Sequence, residues 1–391
     1  MCNLRPPAIT CGFIALAISF PAMCASIDWT GCSVPNFGED RSKAIAACTA
    51  VLNRADLTNA ERARALLIRG RAEHRAKKID AAILDYDEAI TLAPEDPEPL
   101  AFRASAAFFK RDLPGAFAFD ERALKLNQDY PMALDTMGVV QETAGNYAMA
   151  KFAYDKAIAL DPSNVGARFH RFEYWKSIGA GPQALKELED LLASNAPGLD
   201  LDFLDFRGKE MSYRAMVRLQ RAALFGSLGR FPDAIKAFDE FVQTDPGAIS
   251  FGQRGWFYID RSQYDLAKAD IEKALSYDPD FFLLHGLQGL IFTHAGDYEH
   301  AVTSFTRALE LGPDQTGESY WWRALAERAL HRTEAAQKDA LRAFSTDPTF
   351  LRTKLKMFQE RGYWQPPQSE TDLGIAVHDA VVACMADEEC W

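Results

Sequence analysis

The sequence predicts an all-α chain built as an array of helix–turn–helix repeats, and three periodicities predict it. Alanines stand at Ala82, Ala116, Ala150 and Ala184, each 34 residues after the last, and again at Ala234, Ala267, Ala301 and Ala336, spaced by 33, 34 and 35. A small residue precedes the inter-helix turn in most copies, as Gly70, Ala104, Gly138, Ala222, Gly255, Gly289 and Ala324. A proline closes most copies, at Pro94, Pro162, Pro246, Pro279, Pro313 and Pro348. Proline lacks an N–H and disfavours helix in the residue before it, so Asp161-Pro162 ends a helix. A single helical pair cannot bury both of its apolar faces, and copies on either side must cover them.

The stretch from Pro131 to Pro162 shows the unit most clearly. Two short helices meet at the turn Ala144-Gly145-Asn146. Gly138 and Ala150 let the two backbones pass close together, and Tyr147 and Tyr154 fill the space beside the crossing. Ala157 leaves room for the next helix. On these residues the chain resembles the tetratricopeptide repeat family, over about 62–196 and 212–348. The copy at 282–315 carries Gly289, Phe292, Gly296, Tyr298, Ala301, Phe305, Ala308 and Pro313. The resemblance implies a right-handed superhelix of about eight repeats that binds proteins or peptides. Two copies depart from the pattern. Residues 97–130 have Asp120 where an aromatic is usual and Gln128 in place of the closing proline. Residues 165–198 have Phe172 in the small slot and Leu191 in an alanine slot. These two repeats are expected to be the soft points of the array.

Residues 1–25 read as an export signal. Arg5 supplies the positive end, and Ala8 to Phe20 is an apolar run of thirteen, too short for a comfortable membrane span. Ala22, Cys24 and Ala25 offer small residues for cleavage, and retention as an N-terminal anchor is the alternative. Pro21-Ala22-Met23 ahead of Cys24 makes a poor lipoprotein signal. No other run approaches a membrane span, so the mature chain is expected to be soluble and exported, to the periplasm in a bacterium or otherwise secreted.

Residues 26–61 read as a capping segment. Cys32 and Cys48 flank it, and a helix from Ser42 to Asn53 is expected to stack on the first repeat. An oxidising compartment favours a Cys32–Cys48 bridge, and a loop of this size contributes roughly 3 kcal/mol in the chain-entropy model. Repeats follow over 62–196. Residues 197–212 are an insertion in which apolar residues alternate with acids, at Leu199, Leu201, Phe203 and Phe206. Two readings stand: a lengthened helix or loop packed on the repeats, or a contact for a partner. Repeats resume over 213–348. Residues 349–391 read as capping helices, Phe350 to Arg361 and about Thr371 to Ala386, around a break at Gly362 to Ser369. Cys384 and Cys390 would be about 9 Å apart on a straight helix by rise alone, so they pair only if the helix ends between them.

Composition narrows the function. A hydrophobic content of 48% suffices for a continuous core, and a net charge of −12 argues against the broad phosphate-binding surface of a nucleic-acid reader. No HExxH, GxSxG, P-loop or CxxC motif occurs. No cofactor or metal is expected, and no catalytic residue is assigned. The leading reading is therefore a non-enzymatic scaffold that holds a protein or peptide partner. The alternative is an enzyme or metal-dependent sensor using His285, His294 and His300, or the 197–212 insertion.

The resemblance also implies where a partner would lie. In the family the first helix of each repeat lines a concave groove through its second, fifth, ninth and twelfth positions, which share one helical face. Members that grip a C-terminal carboxylate use lysine and asparagine there. This chain has neither in its fifth and ninth positions, so that activity is not carried over. It offers Phe169, Trp256, Leu290, Trp321 and Leu325 instead. These side chains suit an extended apolar segment, or else they fill a tightly wound superhelix and touch no partner.

Overall fold

The computed structural model describes residues 29–33, 41–194, 196–200, 202–204, 210–312, 317–364 and 373–387. The expected export signal, Pro313 and Cys390 lie outside them. The chain forms two compact units that divide between Asn146 and Tyr147. The first contains α1 (Arg41–Leu52), α2 (Asn59–Arg75), α3 (Ile79–Leu92), α4 (Pro97–Phe109), α5 (Leu113–Leu126) and α6 (Pro131–Thr143). The second opens with α7 (Tyr147–Leu160), α8 (Val165–Ser177) and α9 (Gly181–Ala193). It continues with α10 (Tyr213–Ser227), α11 (Phe231–Thr244), α12 (Ala248–Asp260), α13 (Tyr264–Tyr277), α14 (Phe282–His294), α15 (Tyr298–Leu311), α16 (Glu318–Ala329) and α17 (Thr333–Thr346). It closes with α18 (Pro348–Glu360) and α19 (Leu373–Ala386).

Local chemistry sets the helix ends. Thr58 and Glu61 form a capping box at the start of α2, and proline occupies the first turn of α4 and α6. The turn inside each pair passes through a residue of positive φ. Gly145, Gly179, Gly229 and Gly296 accept this without strain, whereas Lys77, Arg111, Ser262 and His331 adopt it despite carrying a Cβ. The small slot is small because the second helix comes close. A Cβ on Gly289 would stand 2.7 Å from the Phe305 ring, and one on Gly70 would stand 2.7 Å from Tyr86.

A recurring ion pair ties the helices of a repeat together. Arg69, Arg171, Arg254 and Arg323 each stand one position before the small slot. Their carboxylate partners are Asp85 at 2.6 Å, Glu187 at 2.6 Å, Asp270 at 2.7 Å and Asp339 at 2.6 Å. These guanidiniums also reach back to the preceding second helix. Arg171 meets Asp155 at 2.7 Å, Arg254 meets Asp239 at 2.6 Å, and Arg323 donates to the Thr306 hydroxyl at 3.0 Å. The fork geometry of arginine suits this bidentate bridging. In the repeat formed by α4 and α5 the acid is replaced by Phe119, and Arg103 lies over that ring while pairing with Asp87.

The two departing repeats differ in how they accommodate their exceptions. Phe172 and Leu191 are both fully buried in the main apolar core of the second unit, where larger side chains replace small ones. Asp120 is also fully buried, yet neither carboxylate oxygen has a hydrogen-bond partner. Among its described residues the insertion holds no lengthened helix, and it packs on the repeats through Leu199. A 3₁₀ turn (Pro197–Asp200) places Leu199 in the core, and β1 (Asp202–Leu204) pairs antiparallel with β2 (Glu210–Ser212). The Ser212 hydroxyl then accepts from the Ala215 N–H and caps α10, so the ladder feeds straight into the next repeat.

Both ends are covered. Cys32 and Cys48 are bonded, with Cα atoms 4.6 Å apart, and both pack with Val51, Leu52, Leu66 and Ile68. At the other end Phe358 of α18 and Val381, Cys384 and Met385 of α19 close over Phe344 of α17.

Candidate peptide-binding face

In the second unit the first helices of successive repeats touch: α10 meets α12, α12 meets α14, and α14 meets α16. Their common face is therefore continuous. Its centre is α14, FLLHGLQGLIFTH, which carries no aspartate, glutamate, lysine or arginine. Trp256 on α12 is 49% exposed and Leu283 on α14 is 47% exposed, while Leu290 and Leu325 are half-buried. Phe169 on α8 is also half-buried, with its ring 5.4 Å from that of Phe172.

Trp321 does not belong to this face, and the groove assignment is corrected for it. It is only 1% exposed, and its ring lies 5.4 Å from Phe344, 5.9 Å from Phe350 and 6.2 Å from Phe358. The reason is visible one repeat type over. The equivalent position on α12 is Gly252, where a Cβ would meet Leu284 of α14 at 2.7 Å. The fifth position of α12 thus points at the following repeat, and the fifth-position residues Leu67 and Ala101 are buried as well, whereas Phe169, at the fifth position of α8, is half-buried. In the last pair no full repeat follows, so a tryptophan reaches across to the capping helix α18. The ninth position, which holds Trp256, Leu290 and Leu325, is the one that stays accessible.

The three histidines do not converge. His285 Nε2 lies 2.8 Å from the Pro279 carbonyl, and His300 Nδ1 lies 2.7 Å from the Asp297 carboxylate. His294 stacks on Tyr264 with ring centroids 4.4 Å apart, and burial there lowers its pKa. Among the described residues no group of three or more His, Cys, Asp or Glu side chains is placed to hold a metal ion. The hydrogen bond from His300 holds Asp297 below its ordinary range. Burial, reinforced by the nearby charge of Asp135, pushes Asp120 up to about 9.

Comparison with known proteins identifies the repeats. Residues 38–97 and 253–316 match a family model described as the tetratricopeptide repeat, and residues 133–164 match a second model of the same description. The chain is a tetratricopeptide repeat protein. Among its relatives, the Hsp70-Hsp90 organizing protein of Triticum aestivum is 29% identical over 115 residues, 29% of this chain and 20% of the relative. Tetratricopeptide repeat protein 13 of Homo sapiens is 30% identical over 91 residues, 23% of this chain and 11% of the relative. The matches thus span a fifth or less of these relatives' lengths. A tetratricopeptide repeat protein structure from Parabacteroides merdae aligns over 65% of this chain and 93% of its own, with 20% identity and a TM-score of 0.45. Among the described residues of this tetratricopeptide repeat protein, no helix is long and apolar enough to cross a membrane.

Proposed function

We propose that this tetratricopeptide repeat protein is an exported, non-enzymatic scaffold whose second unit holds an extended apolar segment of another exported protein. The observation that carries this is Trp256: a large aromatic left half-exposed beside a helix with no charged lysine, arginine or carboxylate residue. Exposed aromatics beside apolar neighbours are common binding anchors. The name of the wheat relative, an organizing protein for two chaperones, supports a protein-binding role. The reading of residues 1–25 as an export signal and the Cys32–Cys48 bond support an oxidising destination. The separate engagements of His285, His294 and His300 give the metal-sensor reading no support.

The test is Trp256→Ala in the full chain. Because the side chain projects to solvent, melting should change little, as for most surface substitutions, by within about 0.5 kcal/mol. Recovery of the partner from the native envelope should fall by at least roughly tenfold if Trp256 is an anchor costing 2 kcal/mol or more on truncation. A variant that keeps its partner at wild-type levels contradicts the proposal.

A further inference from the structure

Two turns of the first unit, 76–78 between α2 and α3 and 110–112 between α4 and α5, read Ala-Lys-Lys and Lys-Arg-Asp. Lys77 and Arg111 stand at their tips with φ of +61° and +64°, where the turns at Gly145, Gly179, Gly229 and Gly296 have glycine. A side chain is less favourable than glycine there, so the turn geometry does not itself call for these two cations. The two turns lie side by side. Lys110 Nζ is 2.9 Å from the Asp80 carboxylate at the start of α3, and the Phe109 ring at the end of α4 meets His74 of α2 edge-on, with centroids 5.0 Å apart.

This edge is cationic on a chain whose net charge is −12. Lys77, Lys78, Lys110 and Arg111 are all exposed, against two exposed acids, Asp80 and Asp112. Asp80 is engaged by Lys110, and Asp112 caps α5 by accepting from the Gly115 N–H at 3.0 Å. Glu73 is half-buried, and burial raises its pKa. Lys77, Lys78 and Arg111 have no ion-pair partner among the described residues. Turn cations of the second unit are matched instead. Lys176 meets Glu173 at 3.2 Å, Arg230 meets Asp233 at 2.8 Å, Arg261 meets Asp260 at 3.1 Å and Arg332 meets Glu299 at 2.5 Å. Unmatched turn cations are therefore a feature of this edge and not a consequence of the repeat.

Phe109, between them, is 65% exposed. An exposed ring among unmatched cations suits an anionic lipid surface, where apolar side chains enter the headgroup boundary and lysine and arginine are drawn to the acidic lipids. The edge is formed by turn tips rather than by a cleft, which suits a flat surface more than a chain that must be enclosed. We infer that the α2–α3 and α4–α5 turns dock the first unit reversibly on an anionic membrane surface, with Lys77, Lys78 and Arg111 against lipid phosphates and Phe109 at the headgroup boundary. This surface does not depend on the Trp256 face and stands whether or not that face binds an apolar segment.

The test is co-sedimentation of the full mature chain with vesicles at low ionic strength. Vesicles of seven parts phosphatidylcholine to three parts phosphatidylglycerol should carry the protein down, and vesicles of phosphatidylcholine alone should not. Binding should weaken as salt is raised. The double substitution Lys77→Gly, Arg111→Gly should weaken it roughly 25-fold, about fivefold for each cation. That variant should melt no lower than the wild type, because glycine accepts both positive φ angles without strain. Phe109→Ser should also weaken binding to the anionic vesicles. Equal binding to the neutral vesicles, wild-type binding by either variant, or no sedimentation with the anionic vesicles would each overturn the inference. Preferential capture of a short single-stranded DNA over the anionic vesicles would overturn it too, by assigning these cations to nucleic acid.

Discussion

Asp120→Asn should stabilise the α4–α6 region at neutral pH and remove most of its pH dependence. Asp120 is fully buried with both oxygens unpartnered, and its pKa is pushed up to about 9 by burial first and by Asp135 second. In the unfolded chain it titrates near 4, so the folded chain holds one more proton across the interval between. Stability from this group is therefore full below about pH 4 and is lost progressively as pH rises toward 9. At pH 7 the deficit is on the order of 4 kcal/mol, from three pH units at about 1.4 kcal/mol each. Hydrogen exchange in α4, α5 and α6 from pH 5 to 8 measures it. Wild-type protection should fall with pH, and protection in the asparagine variant should not, apart from the intrinsic exchange rate. Parallel profiles for the two proteins would mean that Asp120 finds a partner or water.

Trp321→Ala should be among the most damaging single substitutions in the second unit. The ring is nearly inaccessible and touches Phe344, Phe350 and Phe358, so its removal empties the junction between the last repeat and its cap. Truncating a buried tryptophan typically costs 3–5 kcal/mol. The loss should be local, because a repeat array unfolds from its ends when an interface there is weakened. Protection in α17, α18 and α19 should collapse, while α10 to α13 change little. A variant that melts like the wild type and loses its partner would return Trp321 to the binding face.

The repeat architecture was legible because it rests on size and backbone rules that recur every 34 residues or so. Gly70, Gly255 and Gly289 mark helix crossings too close for a side chain, and the structure puts an aromatic or isoleucine atom within 2.8 Å of each absent Cβ. The groove face was only half legible. Helical spacing groups positions five and nine on one side, but it does not say that position five is covered by the next repeat. Gly252 against Leu284 gives that information, and so Trp321 was placed on the wrong surface. The arginine–carboxylate bridges had a signal that went unread: Arg69 and Asp85, Arg171 and Glu187, Arg254 and Asp270, and Arg323 and Asp339 are each 16 residues apart. The β1–β2 ladder was hidden because alternating apolar and acidic residues in a short segment fit several local structures.

The central claim is that the accessible face of α12 and α14 touches the partner, and site-specific photo-crosslinking tests it most directly. A benzophenone amino acid would replace Trp256 in one variant and Phe152, an exposed aromatic on α7, in another. Both would be irradiated in the native envelope. The account predicts a discrete covalent adduct with another exported protein from position 256 and none from position 152. No adduct at 256, or the same adduct from both positions, would contradict it.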